Sequence, residues 1–366
     1  MKTRKNINRV SIITAVYLCL ILQIAAFSQA GEIISETVRG KSLEKTITRE
    51  NPDRSVTIYL PPSYKNSADK RYPVLYLLHG IGDSDKTWML LRDKSGFANI
   101  KEVLDKGISL GKFGEMIVVM PDQKTKWFGS IYVNSSVIGN WEDFTVKELV
   151  AFVDKKYRTI ANAENRGIAG HSMGGVGAIS IAMKHPEVFS VVFGLNPAII
   201  DWAGDLTIES PAFRTLLNAK SLQPLIAEAQ KGDIYPAGSV TVCRAYSPNP
   251  AKPPFYCDLP FKLVDGKMQP SEPGYSKWLA NSPIRMAQKY RSNLMKLRGI
   301  RFDSGYEDEF QFIPPNARRF SRELTNNGID HIFEEYNGDH RNRLWGRNGR
   351  LLNEFFPYFW DHLQPQ

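Results

Sequence analysis

The sequence has few cysteines, and its histidine, cysteine and acidic residues form no cluster at the spacing of metal ligands. Only three cysteines occur among 366 residues, and no internal repeat or low-complexity tract is visible. These absences exclude a cysteine-rich disulfide scaffold, a sequence-encoded metal centre and a repeat architecture. Hydrophobic residues make up 42% of the chain and charged residues 23%. We therefore expect a globular protein that uses no cofactor and no metal.

The one long apolar run lies at the N-terminus. A basic stretch, "MKTRKNINR", precedes "VSIITAVYLCLILQIAAF", and small residues follow at Ser28 and Ala30. This order is typical of a secretory signal peptide. An uncleaved anchor is the alternative, but the run falls short of a full membrane span of about 20 residues. We predict that residues 1–30 are removed near Ala30, which leaves 31–366 secreted or periplasmic without stable membrane insertion.

Removal of this leader changes the charge and the cysteine count. The leader has four basic residues and no acid, so the formal net charge falls from +9 to +5. A mildly basic protein gives no indication of a nucleic-acid partner. Cys243 and Cys257 remain after the leader, which contains Cys19. In an exported protein a disulfide between the two is favoured over free thiols.

Strand and helix patterns alternate through most of the mature chain, with short connections. The first strand pattern alternates as an exposed edge strand would, and several later ones are continuous apolar runs typical of strands buried on both faces. The alternation predicts the α/β class, with a mostly parallel sheet covered by helices on both faces. The strand patterns are "SVTIYLPP", "PVLYLLHG", "EMIVVMPD", "RGIAG", "VVFGLNP", "GIRFDSG" and "HIFEEYNG".

The alternation is interrupted over residues 199–286. This segment is rich in proline, serine, alanine and glycine, and only "SPAFRTLLNA" gives a good helical pattern. We interpret 199–286 as an insertion carried by the sheet domain, which forms a lid or side wall of the site. A surface decoration without ligand contact is the alternative.

The stretch "GIAGHSMGG" contains the candidate nucleophile, Ser172. A nucleophilic serine in an α/β sheet stands on a sharp strand-to-helix turn, where glycines two places before and after it allow strand and helix to approach closely. Gly170 and Gly174 occupy those two places. The alternative is a glycine-rich turn without chemistry.

A serine hydroxyl needs a base, and position in the predicted sheet selects one histidine of the six. His340 follows a late strand at its carboxyl end, where reactive groups gather in parallel sheets. In chain order, the other five histidines lie at a strand end in "LLHG", in the predicted elbow, at a helix end, at the amino end of a strand and in the final helix. They are His79, His171, His185, His331 and His362.

The acid of the triad is expected between the serine and the histidine in chain order. Asp308 lies on the loop after "GIRFDSG" and is placed to hold the imidazole of His340. Glu307 is the close alternative, and Asp201 and Asp205 are more remote ones. Asp303 lies within the strand, where it can alternate outward.

Acyl transfer also needs amide donors for the oxyanion. One expected donor is the N–H of Met173, directly after the nucleophile. The other is the N–H of Ile81, on the loop where Gly80 lets the chain turn after "LLHG".

These segments together resemble the esterase family of α/β hydrolases, which includes S-formylglutathione hydrolases, feruloyl and acetylxylan esterases and mycobacterial mycolyltransferases. The likeness covers about residues 50–198 and 290–363. It implies the α/β-hydrolase fold with Ser172, Asp308 and His340 as triad and Ile81 and Met173 as oxyanion donors. One departure is Gly338-Asp339, where the family usually has two glycines before its histidine. The segments are "YPVLYLLHGIGDSDKTW", "VVMPD", "AGHSMGGVGAISIAMKHPEVF", "DSGYEDEF" and "YNGDHRNRLW".

The sequence therefore predicts an exported serine carboxylic-ester hydrolase that acts through an acyl-enzyme on a short-chain or carbohydrate-linked ester, of acetyl or feruloyl type. An acyltransferase or an S-formylglutathione-type thioesterase would use the same triad, and a binding module that retained the fold is a further alternative. Two groups of side chains bear on the substrate. Aromatic residues on loops either stack on it or form local cores, and arginines near His340 either form an acid-binding rim or a solvated helix start. The aromatic residues are Trp127, Phe128, Tyr132, Trp141, Trp202, Phe255 and Tyr256, and the arginines are Arg341, Arg343, Arg347 and Arg350.

Overall fold

The structure is a computed structural model that describes residues 30–90 and 99–363. The predicted signal peptide, apart from Ala30, lies outside the described residues, as does Cys19. Within the described part of the chain, no helix has both the length and the apolar character needed to cross a membrane.

An eight-stranded sheet forms the centre of the molecule, with strand order β1-β2-β4-β3-β5-β6-β7-β8. The pairs β1–β2 and β2–β4 are antiparallel, and the other neighbouring strands run parallel. The predicted α/β class with a mostly parallel sheet is confirmed. The strands are Glu32–Arg39 (β1), Asp53–Leu60 (β2), Val74–Leu78 (β3), Ile117–Pro121 (β4), Arg166–His171 (β5), Val191–Leu195 (β6), Gly299–Gly305 (β7) and Ile332–Tyr336 (β8).

The prediction that "SVTIYLPP" forms an edge strand is wrong. β2 lies between β1 and β4, and every side chain from Val56 to Leu60 is buried. The residues of β1 are mostly half-buried or exposed, which gave them a weak apolar signal. They nevertheless pair with β2 along its whole length.

Helices cover both faces of the sheet. Along β3, Val74, Tyr76 and Leu78 pack into one hydrophobic core, whereas Leu75 and Leu77 pack into the other. This period of two explains why the strand reads as an uninterrupted apolar run. The first core is covered by Trp141–Asp143, which continues as the π-helix Phe144–Leu149 and then as Val150–Lys156, and by Met173–Lys184, Arg291–Leu294 and Ile313–Asn326. The second is covered by Ile100–Ser109 and by Leu351–Phe355, which continues as Phe356–Leu363.

Residues 199–286 contain more helix than the sequence predicted. Five helices begin there, whereas one was expected. Four of them have proline at the first or second helical position. There the missing N–H leaves no hydrogen bond unmade, so prolines that resemble loop signals start helices instead. The elements are Pro211–Asn218, Gln223–Gln230, Tyr235–Tyr246, Gly274–Ala280 and Pro283–Lys289, with a hairpin of Phe261–Val264 and Lys267–Pro270.

Cys243 and Cys257 form a disulfide, with their Cα atoms 5.7 Å apart. Cys243 lies in the helix Tyr235–Tyr246, and Cys257 lies in the loop that follows. The bond therefore ties this helix to its neighbouring loop.

Candidate active site

Ser172 stands on a strained turn between β5 and the helix Met173–Lys184. Its backbone has φ 57° and ψ −117°, a conformation that L-residues rarely adopt. A Cβ atom at Gly170 would lie 2.3 Å from the carbonyl carbon of Gly174, and one at Gly174 would lie 2.4 Å from the carbonyl oxygen of Leu78. Glycine is therefore required at both positions, as the predicted elbow demands.

Asp308 and His340 are brought together at the carboxyl ends of β7 and β8. The Nδ1–H of His340 donates a hydrogen bond of 2.7 Å to Oδ2 of Asp308, and both side chains are almost fully buried. The other carboxylate oxygen accepts a bond of 2.8 Å from the N–H of Phe310. With its proton held at Nδ1, the imidazole presents the lone pair of Nε2.

Burial controls the titration of this pair. Desolvation of the carboxylate raises the pKa of Asp308 to about 7, because a lone negative charge is poorly solvated there. Burial also lowers the pKa of His340 to about 4. Since the groups share a hydrogen bond, they titrate as a unit. The pair takes up its first proton near neutral pH and becomes cationic only in acid.

The loop carrying His340 is fixed against the serine turn. The carbonyl oxygen of His340 accepts hydrogen bonds from Nε2–H of His171, at 2.7 Å, and from Nδ2 of Asn196, at 3.1 Å. The imidazole ring lies 4.5 Å from the ring of His171, which directly precedes Ser172, and 4.9 Å from that of Phe310. The elbow and the His340 loop therefore contact each other.

Asp339, where the resembled family usually has a second glycine, stabilises the same loop. Its carboxylate accepts bonds from the N–H groups of Arg341 and Asn342, at 2.8 and 2.7 Å. The aspartate side chain thus closes a turn directly after His340.

The alternative acids are either exposed to solvent or paired with side chains other than His340. Glu307 is exposed. Asp205 accepts a hydrogen bond from the hydroxyl of Tyr235. Asp201 pairs with Arg285 and Arg319, each at 3.2 Å.

Asp303 is fully buried and pairs with Arg350, which is itself buried. The expectation that Asp303 points outward is therefore wrong. Neither an acid-binding rim nor a solvated helix start describes Arg350, because its charge is needed opposite this buried carboxylate.

The remaining histidines have structural contacts. His79 accepts a bond of 2.9 Å from the N–H of Gln123 and donates one of 2.8 Å to the carbonyl of Gly80, so it holds the loop after β3. Burial lowers its pKa. Three others bond to helix residues, which lie on a different element for His185 and His331 and on the same helix for His362. These are His185 with Glu142, His331 with Ser321 and His362 with Tyr358.

The two expected oxyanion donors lie beside Ser172. A Cβ atom at Gly80 would lie 3.5 Å from that of Ser172, so the loop that carries Ile81 passes directly over the nucleophile. Met173 is the first residue of its helix, and its N–H therefore lacks an intrahelical acceptor. Ile81 and Met173 both line the same cavity as Ser172.

That cavity has a volume of about 80 Å³ and an almost wholly apolar wall. We call it the apolar cavity. Residues outside the segment 199–286 line part of the cavity, among them Ser172, Met173, Val176 and Ala198. The segment 199–286 lines one side of it. The residues from that segment are Ile200, Leu206, Ile234, Tyr235, Gly238, Ser239, Val242 and Trp278.

A second cavity, of about 250 Å³, lies beside His171 and is lined by polar and aromatic groups. We call it the polar cavity. The indoles of Trp88 and Trp345, with ring centres 6.3 Å apart, lie there with the guanidinium of Arg341. Gly80, Asp83, Thr87 and Leu344 complete its wall.

The aromatic residues noted in the sequence pack in local cores. Trp127 donates to the carbonyl of Ala237, and Trp141 to that of Ile138. Trp202 stacks on Trp278, with ring centres 5.5 Å apart. Within the described residues, the two cavities are lined by other aromatic side chains.

Asn196 is the main residue that sequence reasoning missed. It directly follows β6, is fully buried and has φ 41°. Its amide donates to the hydroxyl of Tyr336 at 2.7 Å as well as to His340, and its Oδ1 accepts from the N–H of Gly305 at 2.7 Å. The sequence signal that could have identified Asn196 is a polar residue directly after a buried strand.

The fold is that of the α/β-hydrolase class, and a family match makes the protein a carboxylic ester hydrolase. The chain belongs to the Esterase family, whose model matches residues 47–348.

Individual relatives agree with this assignment. Over 289 residues the chain is 27% identical to an esterase of Mycobacterium tuberculosis, covering 78% of this chain and 52% of the relative. Over 139 residues it is 33% identical to an endo-1,4-beta-xylanase/feruloyl esterase of Xylanibacter ruminicola, covering 37% and 18%. The chain thus spans about half or less of the length of these curated relatives.

Solved structures share the fold. A ferulic acid esterase superposes with a TM-score of 0.57 at 22% identity, over 91% of this chain and 98% of the other. An S-formylglutathione hydrolase from Agrobacterium tumefaciens superposes with a TM-score of 0.55 at 15% identity, over 92% and 97%.

Proposed function

We propose that Ser172 is the nucleophile of this esterase, with His340 as its general base and Asp308 as the group that orients His340. Nε2 of His340 takes the hydroxyl proton while Oγ of Ser172 forms a bond to the ester carbonyl carbon. The same imidazole then gives that proton to the leaving alcohol. The observation that carries this proposal is the buried 2.7 Å bond between His340 and Asp308, on a loop packed against the serine turn.

The N–H groups of Met173 and Ile81 are the proposed donors to the oxyanion of the tetrahedral intermediate. The start of the helix at Met173 also favours negative charge there. Collapse of the intermediate leaves an acyl-enzyme at Ser172. Water, deprotonated by His340, then attacks this ester and releases the acid.

The proposed substrate is a short-chain ester whose alcohol part is a carbohydrate or another hydroxylated group. The apolar cavity beside Ser172 suits an acyl group. The polar cavity suits a hydroxylated alcohol, because indole faces stack on sugar rings and charged groups bond to their hydroxyls. One relative is named a xylanase/feruloyl esterase, and xylan is a carbohydrate.

Export and cleavage near Ala30 belong to the same proposal. The basic and apolar order of the leader supports it, and so does the Cys243–Cys257 disulfide, because disulfides persist in oxidising compartments. We also propose that the insertion 199–286 acts as a side wall of the site, since its residues line the apolar cavity.

A Ser172→Ala variant tests the triad with 4-nitrophenyl acetate as substrate. We expect kcat to fall by about 10⁴ to 10⁶-fold, together with loss of covalent labelling by a fluorophosphonate. Ser180→Ala is the matched control, because Ser180 is a buried serine of the same helix and should leave both readouts intact. Full activity in the Ser172→Ala protein would end the proposal.

A further inference from the structure

The helix Tyr235–Tyr246 contains a glycine, Gly238, that close packing does not explain. Glycine destabilises a helix interior relative to alanine, so its presence needs a reason. At Gly177 the reason is close packing, because a Cβ there would lie 2.4 Å from the ring of Tyr132. At Gly238 the nearest atom to such a Cβ is Cδ1 of Ile81, at 3.7 Å, an ordinary contact distance.

The space left open by Gly238 belongs to the apolar cavity. Gly238 and Ile81 both line that cavity with Ser172. A side chain at position 238 would therefore extend toward the loop of Ile81 and occupy volume beside the nucleophile. Because glycine has no side chain, this part of the apolar cavity stays free for a group of the substrate.

The wall of this room has few polar atoms to offer a ligand. The hydroxyl of Tyr235 donates to Asp205, and Nε1–H of Trp278 donates to Oγ of Ser247 at 3.1 Å. Both groups are thus engaged away from any occupant. Beyond Ser172, the hydroxyl of Ser239 is the remaining polar side-chain group among the described lining residues.

We propose that Gly238 sets the depth of an acyl pocket for a short linear aliphatic acyl group of about four carbons. This inference rests on the proposed role of Ser172. A volume of about 80 Å³ is the share of about three water molecules in the liquid, at about 30 Å³ each. A methylene group takes up a similar volume, so the pocket matches the carbons beyond the carbonyl of a butanoyl group.

A hydroxycinnamoyl group fits the same room poorly. Beyond its carbonyl it has roughly four times as many non-hydrogen atoms as a butanoyl chain. Beyond Ser172, its phenolic hydroxyl would find the hydroxyl of Ser239 as the one side-chain partner not engaged elsewhere among the described lining residues, and an unmade hydrogen bond lowers binding by a factor of about ten or more. The pocket therefore selects aliphatic over aromatic acyl groups.

The test measures kcat/KM for 4-nitrophenyl acetate, butanoate, hexanoate, octanoate and ferulate. For the natural sequence we expect butanoate to exceed both acetate and ferulate by at least about tenfold, since each buried methylene contributes favourably. In Gly238→Leu, the added side chain fills the pocket, and the ratio of butanoate to acetate kcat/KM should fall by about tenfold or more.

Gly238→Ala is the matched variant. It adds one methyl group to the same helix position, at an ordinary distance from Ile81, so a smaller fall of about two- to fivefold in the same ratio is expected. This variant keeps the test open should leucine impair folding.

Two results would overturn the inference. One is equal loss of acetate and butanoate hydrolysis in the Gly238 variants, and the other is a preference for ferulate over butanoate in the natural sequence. Hydrolysis that survives in Ser172→Ala would instead overturn the proposed function, so the two failures are distinguishable.

Discussion

Replacing Asp308 by asparagine removes the charge beside His340 while keeping the size of the side chain. The carboxylate and the imidazole lie in hydrogen-bond contact at 2.7 Å and are buried. For charge centres about 4 Å apart at an effective dielectric constant of about 20, the attraction that stabilises the imidazolium is about 4 kcal/mol. Loss of that energy from the transition state corresponds to a factor of about 10³ in rate.

The asparagine amide lowers the rate in a second way. An asparagine can present its NH₂ group to Nδ1 of His340, which then becomes an acceptor and leaves the ring proton on Nε2. The imidazole in that tautomer cannot accept the proton of Ser172. We therefore expect kcat/KM for 4-nitrophenyl acetate to fall by about 10³ to 10⁴-fold in Asp308→Asn.

The pH profile gives an independent readout of the same pair. Below pH of about 7 the natural pair holds an additional proton, because burial raises the pKa of Asp308 to about 7. kcat/KM should therefore rise with pH and reach half its plateau near pH 7. In Asp308→Asn the imidazole titrates alone, and its burial keeps its pKa below the ordinary 6.5. The acid limb of the much weaker residual activity should move to lower pH.

Glu307→Gln is the control for this experiment, because Glu307 is the exposed neighbouring acid and its loss should change kcat/KM by less than about threefold. Circular dichroism and thermal unfolding would establish that both variants fold. An Asp308→Asn protein within tenfold of the natural rate, or a large loss in Glu307→Gln, would refute the reasoning.

Two further predictions concern folding. Gly170→Ala should lower the free energy of unfolding by at least about 1–3 kcal/mol in urea, because its Cβ would lie 2.3 Å from Gly174; a midpoint equal to that of the natural protein would contradict this. The double variant Cys243→Ala, Cys257→Ala should lose about 3 kcal/mol, the chain-entropy value for a loop of about 15 residues. An unchanged urea midpoint in the double variant would show that the disulfide contributes no stability.

The parts of the fold that could be predicted are those whose pattern is local. Strands buried on both faces, such as β3 and β4, read as apolar runs, and the helix Ile313–Asn326 has one apolar face. β1 escaped prediction because its residues are largely half-buried, and its place is set by pairing with β2. The helices of 199–286 escaped because proline at a helix start and proline in a loop are alike in sequence.

The same distinction, between local patterns and contacts between distant segments, applies to the site. The sharp turn at Ser172 was predictable because its flanking glycines meet a local backbone requirement. The contact between His340 and Asp308 was predictable because the ends of neighbouring parallel strands lie close together. Asn196 was not, since its bonds to Gly305, Tyr336 and His340 join residues more than a hundred positions away. Only the assembled sheet brings these partners together.

The serine turn and one wall of the apolar cavity come from different parts of the chain, which bears on how the acyl preference can change. The serine turn is held by backbone contacts inside the sheet domain, between Gly170 and Gly174 and between Gly174 and Leu78. One side of the apolar cavity comes from the segment 199–286, where Gly238 and Trp278 lie on helices that take no part in the turn. Substitutions there alter the volume beside Ser172 without moving its backbone. Acyl preference can therefore vary while the chemistry stays fixed, and for this reason the motifs that identify the reaction say little about the ester.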